Sequence, residues 1–227
     1  MPEVQVNPYH LKPTSLIPNS PYPLLHYKGL MSSHIPSNSG KLSSIHNLYT
    51  SNSWVTHWIF RYGPTQLSHY HSHAHECMTV LSGTATIRFG VADTSEDMDE
   101  NTYKGQWEEG GIEVTAHAGD VFIIPVGVAH KTYNPSPTSP EVKLLTPGTG
   151  KGVEAADPAK ALDAIELEGF TMMGCYPEGQ TWDFAVGMEP REFKEVWSVP
   201  KPRRDPVLGD GEEGLVGLWR ERERAKL

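Results

Sequence analysis

GPTQLSHYHSHAHECMTVLSG (63–83) places a histidine at every second position from 69 to 75 and a glutamate directly after the last of them. In extended chain alternate side chains share a face. Read as a strand, the segment would line one face with His69, His71, His73 and His75, and Glu76 follows. A row of imidazoles is a costly choice unless something binds it. The segment has a partner downstream in GDVFIIPVGVAHKTYN (119–134). There a strand-like apolar run ends at the turn signal Pro125-Val126-Gly127, and His130 follows. Two histidines and a carboxylate from one hairpin, with a third histidine from another, suit a divalent transition metal.

Two spaced patterns are complete in these stretches. Gly63, His69, His71, Glu76 and Gly83 fill G-x5-H-x-H-x4-E-x6-G, and Gly119, Pro125, Gly127, His130 and Asn134 fill G-x5-P-x-G-x2-H-x3-N. Composition alone supplies each fixed residue only about one time in twenty or less. By these motifs the chain resembles the cupins. The resemblance implies an all-β fold, the double-stranded β-helix or jelly-roll barrel, with a few short peripheral helices. Position by position, it also implies His69, His71, Glu76 and His130 as ligands of one metal ion. More narrowly, IPNSPYPLLHYKG (17–29), HYHSHAHE (69–76) and GCYPEGQTWD (174–183) resemble their counterparts in the YjlB-like family of single-cupin proteins. That likeness covers nearly the whole chain but implies no particular reaction.

Length and composition agree with such a barrel. At 227 residues one sizeable core can be buried, and barrels of this size are often one domain. We read residues 1–227 as a single domain: 1–53 an N-terminal arm with a short helix, 54–147 the barrel core, and 148–227 a helix, a strand and a wrapping tail. The 19 prolines and 21 glycines fit many short strands and turns. A net charge of −9 argues against a nucleic-acid surface. Much of the excess sits in DTSEDMDENTYKGQWEEGG (93–111), which reads as a mobile acidic insertion of unassigned role. No apolar run is long enough to span a membrane, and the N-terminus lacks the basic start and apolar core of a secretory signal. Two cysteines imply no disulfide framework. The expectation is a soluble cytoplasmic protein.

In chain order, residues 1–23 read as an extended arm and 24–30 as a short strand. Residues 37–50 read as a helix of two or three turns, from Leu42, Ile45, Leu48 and Tyr49 near helical spacing. Trp54–Tyr62 is the first clear strand. Strand pairs follow at 76–82 and 84–90 and at 112–117 and 120–125, with a further strand at 142–146. Asp157-Pro158 opens a helix through AKALDAIEL, and Phe170–Tyr176 is a strand. The tail from 188 is apolar enough to lie over the barrel or a second subunit, and WRERERAKL (219–227) reads as a short helix.

Neutral imidazole suits Fe, Ni, Cu and Zn, and a carboxylate adds a hard, charge-neutralising donor. With four protein ligands, Fe, Mn or Ni keeps positions open, whereas tetrahedral Zn would be closed and structural. The expected cofactor is one divalent transition metal, Fe, Mn, Ni or Zn, with its identity left open. His73 and His75 stay ambiguous. Either could replace a motif position or orient a ligand from outside the shell, with His75 read toward the pocket rim and His73 as a turn residue. Cys77 points away along its strand and reads as core. Arg61 and Arg88 could clamp a substrate carboxylate, although arginines on strands more often sit in surface pairs. Trp58, Phe60, Met78 and Phe122 flank the ligands, as barrel core or as cavity wall.

The function expected from this pattern is metal-dependent action on a small organic molecule. The favoured class is an Fe(II)-type oxygenase, with isomerase or decarboxylase chemistry beside it. The alternative is a non-catalytic small-molecule-binding or sensor protein, and a storage-like role is disfavoured by the filled ligand positions. Prolines in the arm and tail suit barrel edges. Leu16, Ile17, Trp197, Leu215, Leu218 and Trp219 need apolar cover, which predicts a homodimer.

Overall fold

Short apolar runs punctuated by glycine and proline become ten strands in the computed structural model, which describes residues 4–38, 40–188 and 192–220. They are β1 (Val6–Tyr9), β2 (Leu24–Tyr27), β3 (Trp54–Arg61), β4 (Glu76–Ser82), β5 (Thr84–Phe89), β6 (Ile112–His117), β7 (Val121–Ile124), β8 (His130–Ser136), β9 (Lys143–Leu144) and β10 (Thr171–Pro177). One sheet runs β1-β2-β7-β4-β10-β3-β9 and the other β6-β5-β8, with every pairing antiparallel. Five short helices sit around this double-sheet barrel: α1 (Leu42–Ser51), α2 (Met98–Tyr103), α3 (Pro158–Asp163), α4 (Phe193–Trp197) and α5 (Leu215–Leu218).

The chain changes sheet at two glycines. Between β4 and β5, Gly83 has φ +71°, and a Cβ there would lie 2.7 Å from the Ser136 carbonyl. Between β6 and β7, Gly119 has φ +95° with Ser32 backbone atoms 2.9 Å from the same imagined carbon. Only glycine enters this left-handed region at such close approach without strain.

The larger sheet is buried on both faces, which is why β4 and β10 read as near-continuous apolar runs. Met78, Val80, Phe122 and Met172 face the smaller sheet and its Ile87 and Phe89. Cys77, Leu81, Ile123, Met173 and Cys175 face the opposite way, against Tyr49 and Ile45 of α1 and against Leu215 and Trp219 of the tail. Each such side chain contributes roughly 1.5–3 kcal/mol of burial.

Several expectations need correction. The acidic stretch 93–111 is not a loose insertion. Asp97 caps α2 by accepting from the Asp99 and Glu100 amides, and the Asn101 side chain bonds Thr94, Ser95 and the Ser95 carbonyl. Arg88 then donates to the carbonyls of Asn101 and Thr102 and lies 3.5 Å over the Trp107 ring. Acidity was read as solvation, but the acids serve as caps and partners. The strand β8 is absent from the sequence reading; as the edge of its sheet, β8 tolerates a proline. The further strand expected at 142–146 shrinks to the pair Lys143–Leu144, and α3 stops at Asp163. The arm is extended and forms β1 on the outer edge of the larger sheet, with Pro8 at an edge position.

The tail covers its own barrel. Trp219 is fully buried, donates from Nε1 to the Pro23 carbonyl at 2.8 Å and stacks on Tyr22. Asp205 accepts from the Tyr27 hydroxyl at 2.5 Å and from the amides of Val207, Leu208 and Leu215. Ile17 and Leu215 are likewise buried within one chain, so the apolar-cover argument for a second subunit lapses at these residues. Of the helix expected over 219–227, residues 221–227 lie outside the described residues.

Candidate metal centre

Residues 69–75 do not form the strand that their alternation predicts. His69 and His130 exchange backbone hydrogen bonds at 3.2 and 2.8 Å as an isolated bridge, and Gly127 N–H donates to the His71 carbonyl at 2.9 Å. Beyond His71 the chain bends at Ser72 and His73. The bend is pinned by Asp183, whose carboxylate accepts from the Ser72 amide at 2.7 Å and from its hydroxyl at 2.6 Å. Two of the four histidines therefore turn inward and two leave.

His69, His71 and His130 are buried, and each offers a ligand atom within 4.8 Å of the other two. Each spends Nδ1 on a backbone carbonyl: Leu67 at 3.1 Å, Asp183 at 2.5 Å and Val128 at 3.3 Å respectively. A carbonyl only accepts, so each Nδ1 carries a proton and each Nε2 is turned to the centre, where it can serve as a ligand once free of a proton.

Glu76, at the start of β4, completes the cluster. Its Oε1 lies 3.2 Å from His71 Nε2 and accepts from the Tyr176 hydroxyl, while Trp58 Nε1 donates to that hydroxyl at 3.0 Å. Its Oε2 lies 3.4 Å from His130 Nε2 but has no hydrogen-bond partner among the described residues, although it is buried. Burial alone would raise this carboxyl. Attraction to His71 and His130 and the hydrogen bonds from His71 and Tyr176 outweigh it and hold the group down at about 2. Burial pushes His69 well below the usual imidazole range, helped by repulsion from His130 and His71, and brings His130 to about 4 against the pull of Glu76. Burial acts on His71 in the same sense, but Glu76 and the Asp183 carbonyl override it and raise its value. Three convergent imidazoles, two of them held neutral by burial, beside a buried carboxylate oxygen with no hydrogen-bond partner among the described residues, are a donor set able to hold a metal ion.

The centre opens into a cavity of about 150 Å³. Trp58, Phe60, Tyr62, Tyr176, Trp182 and Phe184 form most of its wall, with Gln66 and Val142 completing it. Gly174 makes this wall possible, because a Cβ there would sit 2.2 Å from the Trp58 ring carbons. Phe184 is half exposed and stacks on His69 with ring centroids 3.9 Å apart. Trp182 is fixed by Nε1 donating to the Gly150 carbonyl at 2.8 Å.

Of the sequence candidates, Trp58 and Phe60 line the cavity, but Met78 and Phe122 do not; these two pair across β4 and β7 in the core between the sheets. Cys77 is core on the opposite face. Arg88 is committed to Glu113, α2 and Trp107, and Arg61 points to Glu168 at 3.7 Å; neither lines the cavity. His73 is a bend residue, 68% exposed at its side chain and 3.6 Å from Asp183. His75 is fully buried away from the cavity rim, accepting at Nδ1 from the Val126 amide at 3.1 Å and packing against Trp219. The sequence reading missed Tyr176, Trp182, Asp183, Phe184 and Gln66. The first three lie in GCYPEGQTWD (174–183), a stretch it quoted for resemblance without asking what its side chains do.

Residues 55–150 match the family model described as Cupin. The chain is 25% identical over 225 residues to the uncharacterized protein YjlB of Bacillus subtilis (strain 168), covering 96% of this chain and 98% of that one. It is 32% identical over 76 residues to germin-like protein 8-6 of Oryza sativa subsp. japonica, covering 34% of this chain and 28% of that one. Among solved structures, an oxalate decarboxylase formate complex from Lactobacillus farciminis is 11% identical, with a TM-score of 0.32 over 86% of this chain and 42% of that one.

Proposed function

We propose that this chain, a cupin, is a metal-dependent protein that holds one divalent transition metal on His69, His71, Glu76 and His130 and acts on a small organic molecule in the adjoining cavity. The observation that carries the reading is the spending of all three Nδ1 protons on backbone carbonyls. It turns three Nε2 atoms toward a carboxylate with one oxygen unpartnered. Structural histidines in a core have no need of such agreement.

A divalent ion bound there would supply Lewis acidity and an open coordination position beside the aromatic wall. The chain's own residues do the rest. Tyr176 keeps its proton, since burial and the Glu76 charge raise the phenol well above its usual range, and donates it to Glu76. Trp58 fixes the orientation of that hydroxyl. The aromatic wall excludes water from the reacting side of the cavity.

Among reactions, we favour an Fe(II)-type oxygenase, with isomerase and decarboxylase chemistry next. The support is a four-donor shell that leaves positions free for an ion preferring five or six. A binding protein without catalysis is the second reading, supported by the absence of a lysine or arginine in the cavity wall among the described residues. We place the activity in the cytoplasm, a reading supported by Cys77 and Cys175, free thiols although they face each other across β4 and β10. No helix among the described residues is long and apolar enough to cross a membrane. We retain a homodimer as part of the proposal; its support is the exposed apolar set Leu67, Val142, Phe184 and Met188.

The test is metal analysis of purified, untagged protein, followed by oxygen uptake with a metabolite panel. A chain purified without metal that also takes none up from Fe(II), Mn(II), Ni(II) or Zn(II) would sink the proposal.

A further inference from the structure

The wall of the cavity constrains what enters it. Six aromatic side chains form most of it: Trp58, Phe60, Tyr62, Tyr176, Trp182 and Phe184. Glu76 is the one carboxylate among the lining residues, and no lysine or arginine is among them. The nearby cation Lys151 is spent outside the wall, donating to the Trp182 carbonyl at 3.2 Å with its Nζ 5.1 Å from the centre of the Trp182 ring. In the metal-free chain a carboxylate entering this cavity would shed its water with no arginine or lysine to receive it, and in the loaded chain only the ion could do so.

The volume sets the size. A cavity of about 150 Å³ matches the space known to hold a single benzene ring. Flat unsaturated rings gain from offset or edge contacts with such walls beyond simple burial. Besides the proposed metal donors, two polar groups in the wall make no hydrogen bond among the described residues: the Tyr62 hydroxyl and the half-buried side-chain amide of Gln66. An amide so placed offers both a donor and an acceptor to a neutral hydroxyl.

We propose that the cavity takes a neutral one-ring aromatic compound bearing a hydroxyl group, a phenol, with the ring against Trp58 and Trp182 and the hydroxyl within reach of Gln66. The inference rests on reading this cavity as the substrate site of the proposed metal centre, and it names the substrate class for that site.

Calorimetric titration of the full chain tests it, in a chelator-stripped form and in a Zn(II)-loaded form that cannot turn over by redox chemistry. The probes are phenol, toluene and oxalate. Phenol is expected to bind the stripped form at least about tenfold more tightly than oxalate, and to remain the tighter ligand of the zinc form. It should exceed toluene by about threefold, the worth of one modest hydrogen bond. Gln66→Leu should erase the difference between phenol and toluene while leaving toluene binding in place. Trp182→Ala should weaken both rings by about fivefold, with circular dichroism showing the fold intact. Oxalate binding the zinc form as tightly as phenol would overturn the proposal and leave the metal centre standing. Phenol bound by a chain that takes up no zinc would support the substrate class and remove the metal. Failure of phenol to bind either form would overturn the proposal outright.

Discussion

The Tyr176 hydroxyl and His71 Nε2 converge on the same oxygen, Oε1 of Glu76, leaving Oε2 of that carboxylate without a donor. One half of the group is saturated by the protein and the other half is left for something else. Replacing Tyr176 by Phe removes a donor to a buried anion and strands Trp58 Nε1. A loss of about 1–3 kcal/mol in denaturant melts is expected, with metal content unchanged because no ligand is removed. A Tyr176→Phe protein as stable as the parent would show that this chain of donors carries no weight.

The ligand set is separable from its histidine-rich surroundings. His130→Ala should lose most bound metal, since the remaining donors form an incomplete shell. His73→Ala should keep it, because His73 lies on the outer side of the bend. Stoichiometric metal in the first variant, or loss in the second, would overturn the assignment.

Acid should release the metal. His130 is buried neutral, with its value lowered from 6.5 to about 4. That contribution to stability is full above the unfolded value and is lost as pH falls from 6.5 towards about 4. The Glu76 contribution has the same sense: it is full above the ordinary 4.5 and is lost as pH falls from there to about 2. His71 is opposite: raised in the fold, it stabilises the metal-free chain at low pH and ceases to do so as pH rises through its folded value. Metal uptake needs the His71 imidazole free of that proton, so protonation of His71 competes with loading. The metal-linked gain in melting temperature should therefore shrink as pH falls from 6.5 towards about 4. An equal gain at about pH 4.5 and about pH 7.5, measured with and without chelator, would refute the linkage.

Lys131 is completely buried next to His130, and its Nζ sits 3.1 Å from both oxygens of Asp93. Asp93 in turn accepts from the Ser68 amide at 2.9 Å, one residue before His69. Lys131→Met should cost about 3–5 kcal/mol by leaving Asp93 uncompensated, and the double change with Asp93→Leu should recover much of it. Equal losses in the single and double variants, by denaturant titration, would deny that the pair acts as a unit.

Light scattering of the full chain is expected to give a homodimer at micromolar concentration, and a monomer would refute it. A chain ending near residue 188 should lose at least about 3 kcal/mol, because Trp219 leaves a cavity behind. Unchanged stability would show that the tail only rests on the barrel.

The barrel and three imidazoles were legible because spaced glycines, a proline and histidines carry backbone and ligand requirements that few other residues meet. What failed was periodicity across a bend. Alternation placed His73 and His75 with His69 and His71, but the Ser72–Asp183 clamp, made by a residue more than a hundred positions away, redirects the chain. Arg88 was read from its strand alone, whereas its partners Glu113, the Asn101 carbonyl and Trp107 come from other elements. Tyr176 and Trp182 carried no local signal of chemistry, since an aromatic in a strand or loop is most often packing.

Asp183 also gives the centre a history. A nascent chain with its first 150 residues exposed already owns His69, His71, Glu76 and His130. It does not yet own the Tyr176 hydroxyl that caps Glu76, nor the Asp183 carbonyl that fixes the His71 ring. At roughly 5–20 residues per second, a ribosome delivers the donors seconds before their aligning partners. If the centre holds metal as proposed, the histidines would during that interval meet ions as a loose, unselective chelator, with geometric discrimination arriving only with the last strand and the loop behind it.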